Sequence, residues 1–164
     1  MNFSQGVEWG LHCAAVVARA PDGTAVPRRV LAAHFGLPEA YLAKHLKALV
    51  RAGVLSATPG PKGGFRLARP AAEITALDIL EAIEGAGSPF VCQEIRQQGT
   101  GAADPADCTK PCAISAMMDK AHQAWQQSLR QLTLTQIVDA VPPALRKRTQ
   151  PGSRAISGRA GNAG

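Results

Sequence analysis

Residues 27–70 read PRRVLAAHFGLPEAYLAKHLKALVRAGVLSATPGPKGGFRLARP, and their punctuation carries an architecture. Residues 27–35 predict a short helix. Pro27 stands where the first helical N–H needs no partner, and Gly36 supplies the stop. Pro38 opens a second, longer helix in the same way. Along it Leu42, Leu46 and Leu49 recur at spacings of four and three, which draws one apolar stripe, and Gly53 ends it. Residues 54–58 and 65–68 are short and strand-like. The PGPKGG between them is a tight glycine-rich turn, so the pair predicts a hairpin. Short helix, longer helix and hairpin in that order are the parts of a winged helix-turn-helix. In that module one helix braces, the next enters the major groove, and the hairpin reaches the adjacent backbone.

The basic residues of this stretch suit that use. Lys44, Lys47 and Arg51 recur at three and four beside the leucine stripe, and Lys62 and Arg66 bracket glycines that let a backbone approach phosphates. Tyr41 and Lys44 fall early on the longer helix, where base edges or phosphates are reached. Tyr41, Lys44, Lys47, Arg51, Lys62 and Arg66 are therefore the expected DNA-contacting residues. His34 and His45, on the same two helices, are expected to face solvent or phosphate. Leu46 and Leu49 should set the longer helix against residues 30–35.

Outward from this centre, residues 3–20 predict a helix with Val7, Leu11, Ala14 and Ala15 on its packing side. APDG at 20–23 is a turn. Residues 75–84 predict a further helix, with Thr75 as N-cap, Asp78 completing a capping box and Gly85 as terminator. Residues 86–111 show weak periodicity and read as loop. Residues 112–132, directly after Pro111, predict a long helix. Met118, Ala121, Trp125, Leu129 and Leu132 give it an apolar seam suited to a dimer contact. Residues 133–141 predict a final short helix. From Pro142 onward Pro, Gly, Ser and Arg dominate, and the tail is expected to be disordered.

The chain has 164 residues and a formal net charge of +6. Residues 1–85 carry nine Lys/Arg and seven Asp/Glu, residues 86–141 four and five, and residues 142–164 five and none, so the tail supplies most of the basicity. No run of eighteen apolar residues predicts a membrane span. Glu8 and His12 interrupt the opening apolar stretch, which does not read as a secretory signal. The expected location is cytoplasmic, where structural disulfides are rare. No phosphate loop, nucleotide fingerprint or nucleophile–base pair points to an enzyme.

Four cysteines then need another account: core, metal ligand or reactive thiol. In GVEWGLHCA, residues 6–14, Glu8 and His12 lie four apart and share a helix face, while Cys13 points toward the packing side. Cys108 and Cys112 enclose CTKPC at the start of the long helix. There the free N–H groups favour negative charge, which should lower the Cys112 thiol pKa. Cys92 lies well upstream, beside Phe90 and Val91. His122, ten residues beyond Cys112, is poorly placed to join it.

The stretch LAAHFGLPEAYLAKHLKALVRAGVLSATPGPKGGFRLARPAAEITALDILEAIEG, residues 31–85, closely resembles the Rrf2 family of bacterial transcription regulators. YLAKHLKAL, AGVL, GGFRLARP and EITALDILEAIEG carry the likeness, which extends over residues 1 to about 140. The resemblance implies a mainly α fold with a small β wing: a winged helix-turn-helix over residues 1–85, a cluster-binding loop region over 86–111, and a dimerisation helix with a terminal helical segment over 112–141. The tail, 142–164, lies outside it. It further implies a homodimer on double-stranded operator DNA, with neither membrane nor substrate as partner.

Cluster-bearing members usually place three cysteines five to seven residues apart, and this chain departs from that spacing. VEWGLHC at 7–13 instead resembles a subset whose [2Fe-2S] cluster takes two Cys from one subunit and a Glu and a His from the other. On that likeness the ligands are Glu8, His12, Cys108 and Cys112, with Cys92 a possible substitute for Glu8. A carboxylate and a neutral imidazole in place of two thiolates leave the site less negative, which raises its potential and implies a redox-responsive regulator. Two rivals stay open: a tetrahedral zinc site on the same donors, and a cluster-free regulator that responds to thiol chemistry or a ligand.

Overall fold

A computed structural model describes residues 3–148. Helix α1 spans Gln5–Val17, α2 Arg28–Phe35 and α3 Glu39–Arg51; strands β1 and β2 span Leu55–Thr58 and Gly64–Leu67; α4 spans Ala76–Glu84. After an irregular stretch broken by short 3-10 turns at Ile95–Gln97 and Pro105–Cys108 come α5, Ala113–Arg130, α6, Leu134–Ala140, and α7, Pro143–Arg148. The fold is mainly helical with a two-stranded antiparallel wing, as expected.

Local chemistry explains most boundaries. Gly36 ends α2 at φ 64°, a backbone state open to glycine at little cost. Pro27 and Pro38 are N-caps, each one residue ahead of its helix. Thr75 accepts from the Asp78 N–H at 3.1 Å and Asp78 Oδ2 accepts from the Thr75 N–H at 2.8 Å, closing the expected capping box. Arg69 donates to the same Asp78 oxygen at 2.9 Å and so ties the wing exit to α4.

The wing pairs Leu55 with Leu67 and Thr58 with Gly64. Val26 bridges to Phe65, adding a short third rung ahead of α2. A Cβ on Gly63 would sit 2.2 Å from the Thr58 carbonyl oxygen, so the turn closes only with glycine there.

The core lies where α1, α3 and α4 meet the base of the wing. Leu31, Leu42, Leu46, Leu49, Val54, Leu55, Ile74 and Ile79 are almost wholly buried there. Leu134 is also fully buried, although it lies far beyond these elements in sequence. A bridge between Thr75 and Thr133, with the Ala76 N–H donating to the Leu132 carbonyl at 2.8 Å and the Leu134 N–H to that of Ile74 at 2.7 Å, brings α6 back onto the body formed by α1–α4 and the wing. Thr133 caps α6 with Gln136 in a second capping box.

Helix α5 is different. None of its eighteen residues is buried, and Ile114 and Met117 are 61% and 69% exposed. The expected apolar seam is split between two directions. Met118 is exposed, whereas Trp125 stacks on Phe3 of its own chain.

The tail differs from expectation at its start. Residues 143–148 are helical, with Pro143 at the first position and the Arg146 guanidinium donating to the carbonyls of Val141 and Asp139, both at 2.6 Å. A proline suits a helix start as well as a loop, which is why composition alone misassigned this segment. The rest of the expected disordered tail lies outside the described residues.

Candidate functional site

The exposed basic surface is built on α3 and the wing. Lys44, Lys47, Arg51, Tyr41 and Lys62 are all exposed, and none has a salt-bridge partner among the described residues. Leu42, Leu46 and Leu49 occupy the opposite side of α3, fully buried, so the helix is held by one face and offers its cations on the other. In the first turn Glu39 accepts from Arg28 of α2 at 2.8 Å.

Arg66, an expected phosphate contact, is engaged within its own chain. Its Nε and Nη2 donate to the Gly23 carbonyl at 3.0 and 2.9 Å, and its Nη1 donates to Thr58 Oγ1 at 2.8 Å. The guanidinium clamps the wing to the 20–24 turn. Lys62→Ala should therefore lower the slope of log affinity against log salt by about one, the value of one released phosphate contact. Arg66→Ala should instead lower stability by about 1 kcal/mol. Operator titrations at several salt concentrations, beside urea melts, separate the two.

His45 and His34, expected to face solvent or phosphate, are each half-buried. His45 is half-buried, edge-on to Trp9 at 5.8 Å between ring centroids, and so close to α1 that a Cβ on Gly6 would lie 2.3 Å from its ring. Burial, and then the Lys44 charge, push its pKa down against a smaller opposing effect of Glu84. His34 packs edge-on to Phe35, with its pKa also lowered by burial. These two serve packing, and His45 joins α1 directly to α3.

Glu8 and His12 are exposed and line one open groove of about 430 Å³ with Phe3, Ser4, Val7 and Leu11. The His12 ring lies 5.5 Å from that of Phe35. Cys13, one residue on, is fully buried, and burial pushes its thiol up to about 12, the behaviour of a core residue. Cys92 is exposed, and Cys108 and Cys112 are half-buried.

Cys112 is the N-cap of α5. The N–H groups of Ser115 and Ile114 face its thiol at the open helix start without closing a regular cap hydrogen bond. They hold its pKa below the ordinary thiol range, and the Arg96 charge acts in the same direction. Arg96 is fixed by Glu94, which accepts from Nη2 at 2.9 Å, and by the Lys110 carbonyl at 3.2 Å. Its charge interacts with both Cys108 and Cys112. The lone cation in QEIRQQ was the available sequence signal for this residue, and spacing alone did not connect it to the thiols. Among the described residues no three His, Cys, Asp or Glu side chains of one chain gather as a metal group. Iodoacetamide should thus alkylate Cys112 ahead of Cys13, which should react only on unfolding; peptide mapping by mass spectrometry checks the order.

A family profile described as "Rrf2: Iron-dependent Transcriptional regulator" matches residues 3–140. The chain belongs to the Rrf2 family. Rrf2 proteins are transcription regulators rather than enzymes. The Rrf2 chain is 32% identical to YffB of Lactococcus lactis, named as an HTH-type transcriptional regulator, over 85% of this chain and 88% of that one. Among solved structures it resembles the oxidised form of Staphylococcus aureus CymR, with TM-score 0.62 and 23% identity over 87% of this chain and 99% of that one. It also resembles IscR of T. potens, with TM-score 0.64 and 21% identity over 88% and 90%. These two likenesses concern the fold of the Rrf2 chain. Among the described residues no helix is long and apolar enough to cross a membrane.

Proposed function

We propose that the protein binds operator DNA as a homodimer and receives its signal at the Cys108–Cys112 loop. The observation that carries this reading is α5. An eighteen-residue helix that buries nothing, with Ile114 and Met117 exposed, begins directly after the two thiols. Exposed apolar surface of that kind is suited to an interface, and a second copy is the commonest partner for such a face. Two α3 helices would then enter successive major-groove faces about 34–36 Å apart. A change at the thiols would act at the end of the helix that joins the subunits.

The geometry within one chain best supports a cluster-free, thiol-responsive sensor. Cys112 has a depressed pKa and Arg96 flanks both thiols, the electropositive setting in which cysteines react. The similar CymR of S. aureus is known in an oxidised form.

A second reading is favoured by one specific observation, the shared groove of Glu8 and His12. In it a [2Fe-2S] cluster takes Cys108 and Cys112 from one subunit and Glu8 and His12 from its partner. Thiolate, imidazole and carboxylate donors fit such a group. Among the described residues no single chain gathers three of them, so the fit requires both subunits. Bound there, the cluster would supply one-electron redox chemistry. Zinc would use the same donors, and Cys92 would replace Glu8 if a third thiolate is needed.

Anaerobic purification with iron and sulfide counts separates the readings. Colourless protein with full operator affinity that is lost on oxidation in wild type, but retained in Cys112→Ser, supports the thiol sensor. Red-brown protein with iron and sulfide, and a spectrum altered in His12→Ala, supports the cluster. Colourless protein containing zinc supports the structural metal. An operator affinity unchanged by any substitution at Cys108 or Cys112 removes the sensing role of the loop.

A further inference from the structure

A cleft of about 510 Å³ opens between the C-terminal half of α4, residues 85–89 and the middle of α5. It belongs neither to the DNA-facing surface nor to the cysteine loop. One wall is aromatic. Phe3 stacks on Trp125 at 5.6 Å between centroids and 13° between planes, and His122 stacks on Trp125 at 5.4 Å and 26°. Glu81 and Glu84 also line the cleft. They lie three apart on α4 and so share a face.

Each carboxylate has only one oxygen engaged. Glu81 Oε1 accepts from Gln126 Nε2 at 3.1 Å, and Glu84 Oε1 accepts from the backbone N–H and the hydroxyl of Ser4 at 3.0 and 2.5 Å. Neither pairs with a lysine or arginine among the described residues. Both ring nitrogens of His122 are shut from solvent and have no hydrogen-bond partner there either. These nitrogens are already out of reach of a water-sized molecule, so His122 gives the cleft its stacked ring rather than a hydrogen bond.

We propose that the cleft binds a small organic cation, a protonated amine carried on a flat apolar body. The ammonium group satisfies the free carboxylate oxygens of Glu81 and Glu84. The flat body packs on the aromatic wall, where the ring faces also favour positive charge. An anion would meet two carboxylates. A neutral apolar molecule would leave the carboxylates without partners, at the usual cost of unpaired polar groups. The bond from Glu84 to Ser4 places the cleft at the entry to α1, whose Trp9 touches His45 of α3. An occupant therefore contacts the joint between the DNA-binding body and α5, an input separate from the thiols.

Isothermal titration of the full-length protein with tryptamine, beside its neutral analogue tryptophol, tests this. Tryptamine should bind saturably, and both tryptophol and the Glu81→Gln/Glu84→Gln double variant should lose affinity by about tenfold or more, the loss expected when a charged hydrogen-bond partner is removed. Glutamine keeps the acceptor that Ser4 uses, and an unchanged melting temperature would show the variant folded. If the variant does not fold, the comparison of the two probes on wild type decides alone. Absence of saturable tryptamine binding overturns the proposal. Equal binding of tryptophol does so too, by showing an apolar cleft indifferent to charge.

Discussion

Leu46→Ala should lower the unfolding free energy by about 2–5 kcal/mol, the range for a leucine removed from a packed core. Leu46 is fully buried among Leu31, Leu42, Leu49 and Val54, and it is part of the stripe by which α3 is held. Small domains carry about 5–15 kcal/mol in total, so one substitution consumes a large share. Operator binding should fall through loss of folded protein, with base preference unchanged in what remains. Urea denaturation reads the effect directly. Lys47→Ala, exposed on the same helix, should leave the midpoint where it is while weakening DNA binding. A loss below about 1 kcal/mol at Leu46 would mean that the site collapses around the gap or that α3 is held by something other than its stripe.

The paired substitution Ile114→Asp/Met117→Asp should separate the subunits and weaken operator binding by about a hundredfold or more. Both residues are exposed on a helix with no buried position, so aspartate costs the isolated chain little. In a dimer the same positions would place charges in an apolar contact, where an unpaired ion is strongly disfavoured. Binding then loses its second half-site, and linked sites commonly gain 10²–10⁴ in affinity, as an order-of-magnitude estimate, from being joined. Sedimentation velocity gives the oligomeric state and an operator titration gives the affinity. A variant that stays dimeric would move the interface elsewhere.

The helix–helix–wing order was legible because its signals are local. Gly36, Pro27, Pro38, Gly53 and the Thr75–Asp78 box each act within a few residues, and the leucine stripe of α3 repeats within two turns. What the sequence concealed was long-range. Nothing near Arg66 marks it as the partner of the Gly23 carbonyl, and a basic residue beside hairpin glycines reads equally well as a phosphate contact. His45 reads as a solvent-facing residue of a basic helix until Gly6 is seen to admit its ring. Arg96 and Cys112 are sixteen positions apart and meet only through the fold of an aperiodic loop. The candidate ligand pair Glu8 and His12 was legible as a shared helix face, because i and i+4 is a local relation.

The return of Leu134 to the core bears on how the chain is made. The DNA-binding body is formed almost entirely by the first half of the sequence, yet one of its fully buried side chains arrives only with α6. During synthesis the recognition helix and wing will have emerged long before that side chain exists to complete their packing. That side chain is translated only after α5, so the packing of the body is completed once the helix proposed to join the subunits is already present.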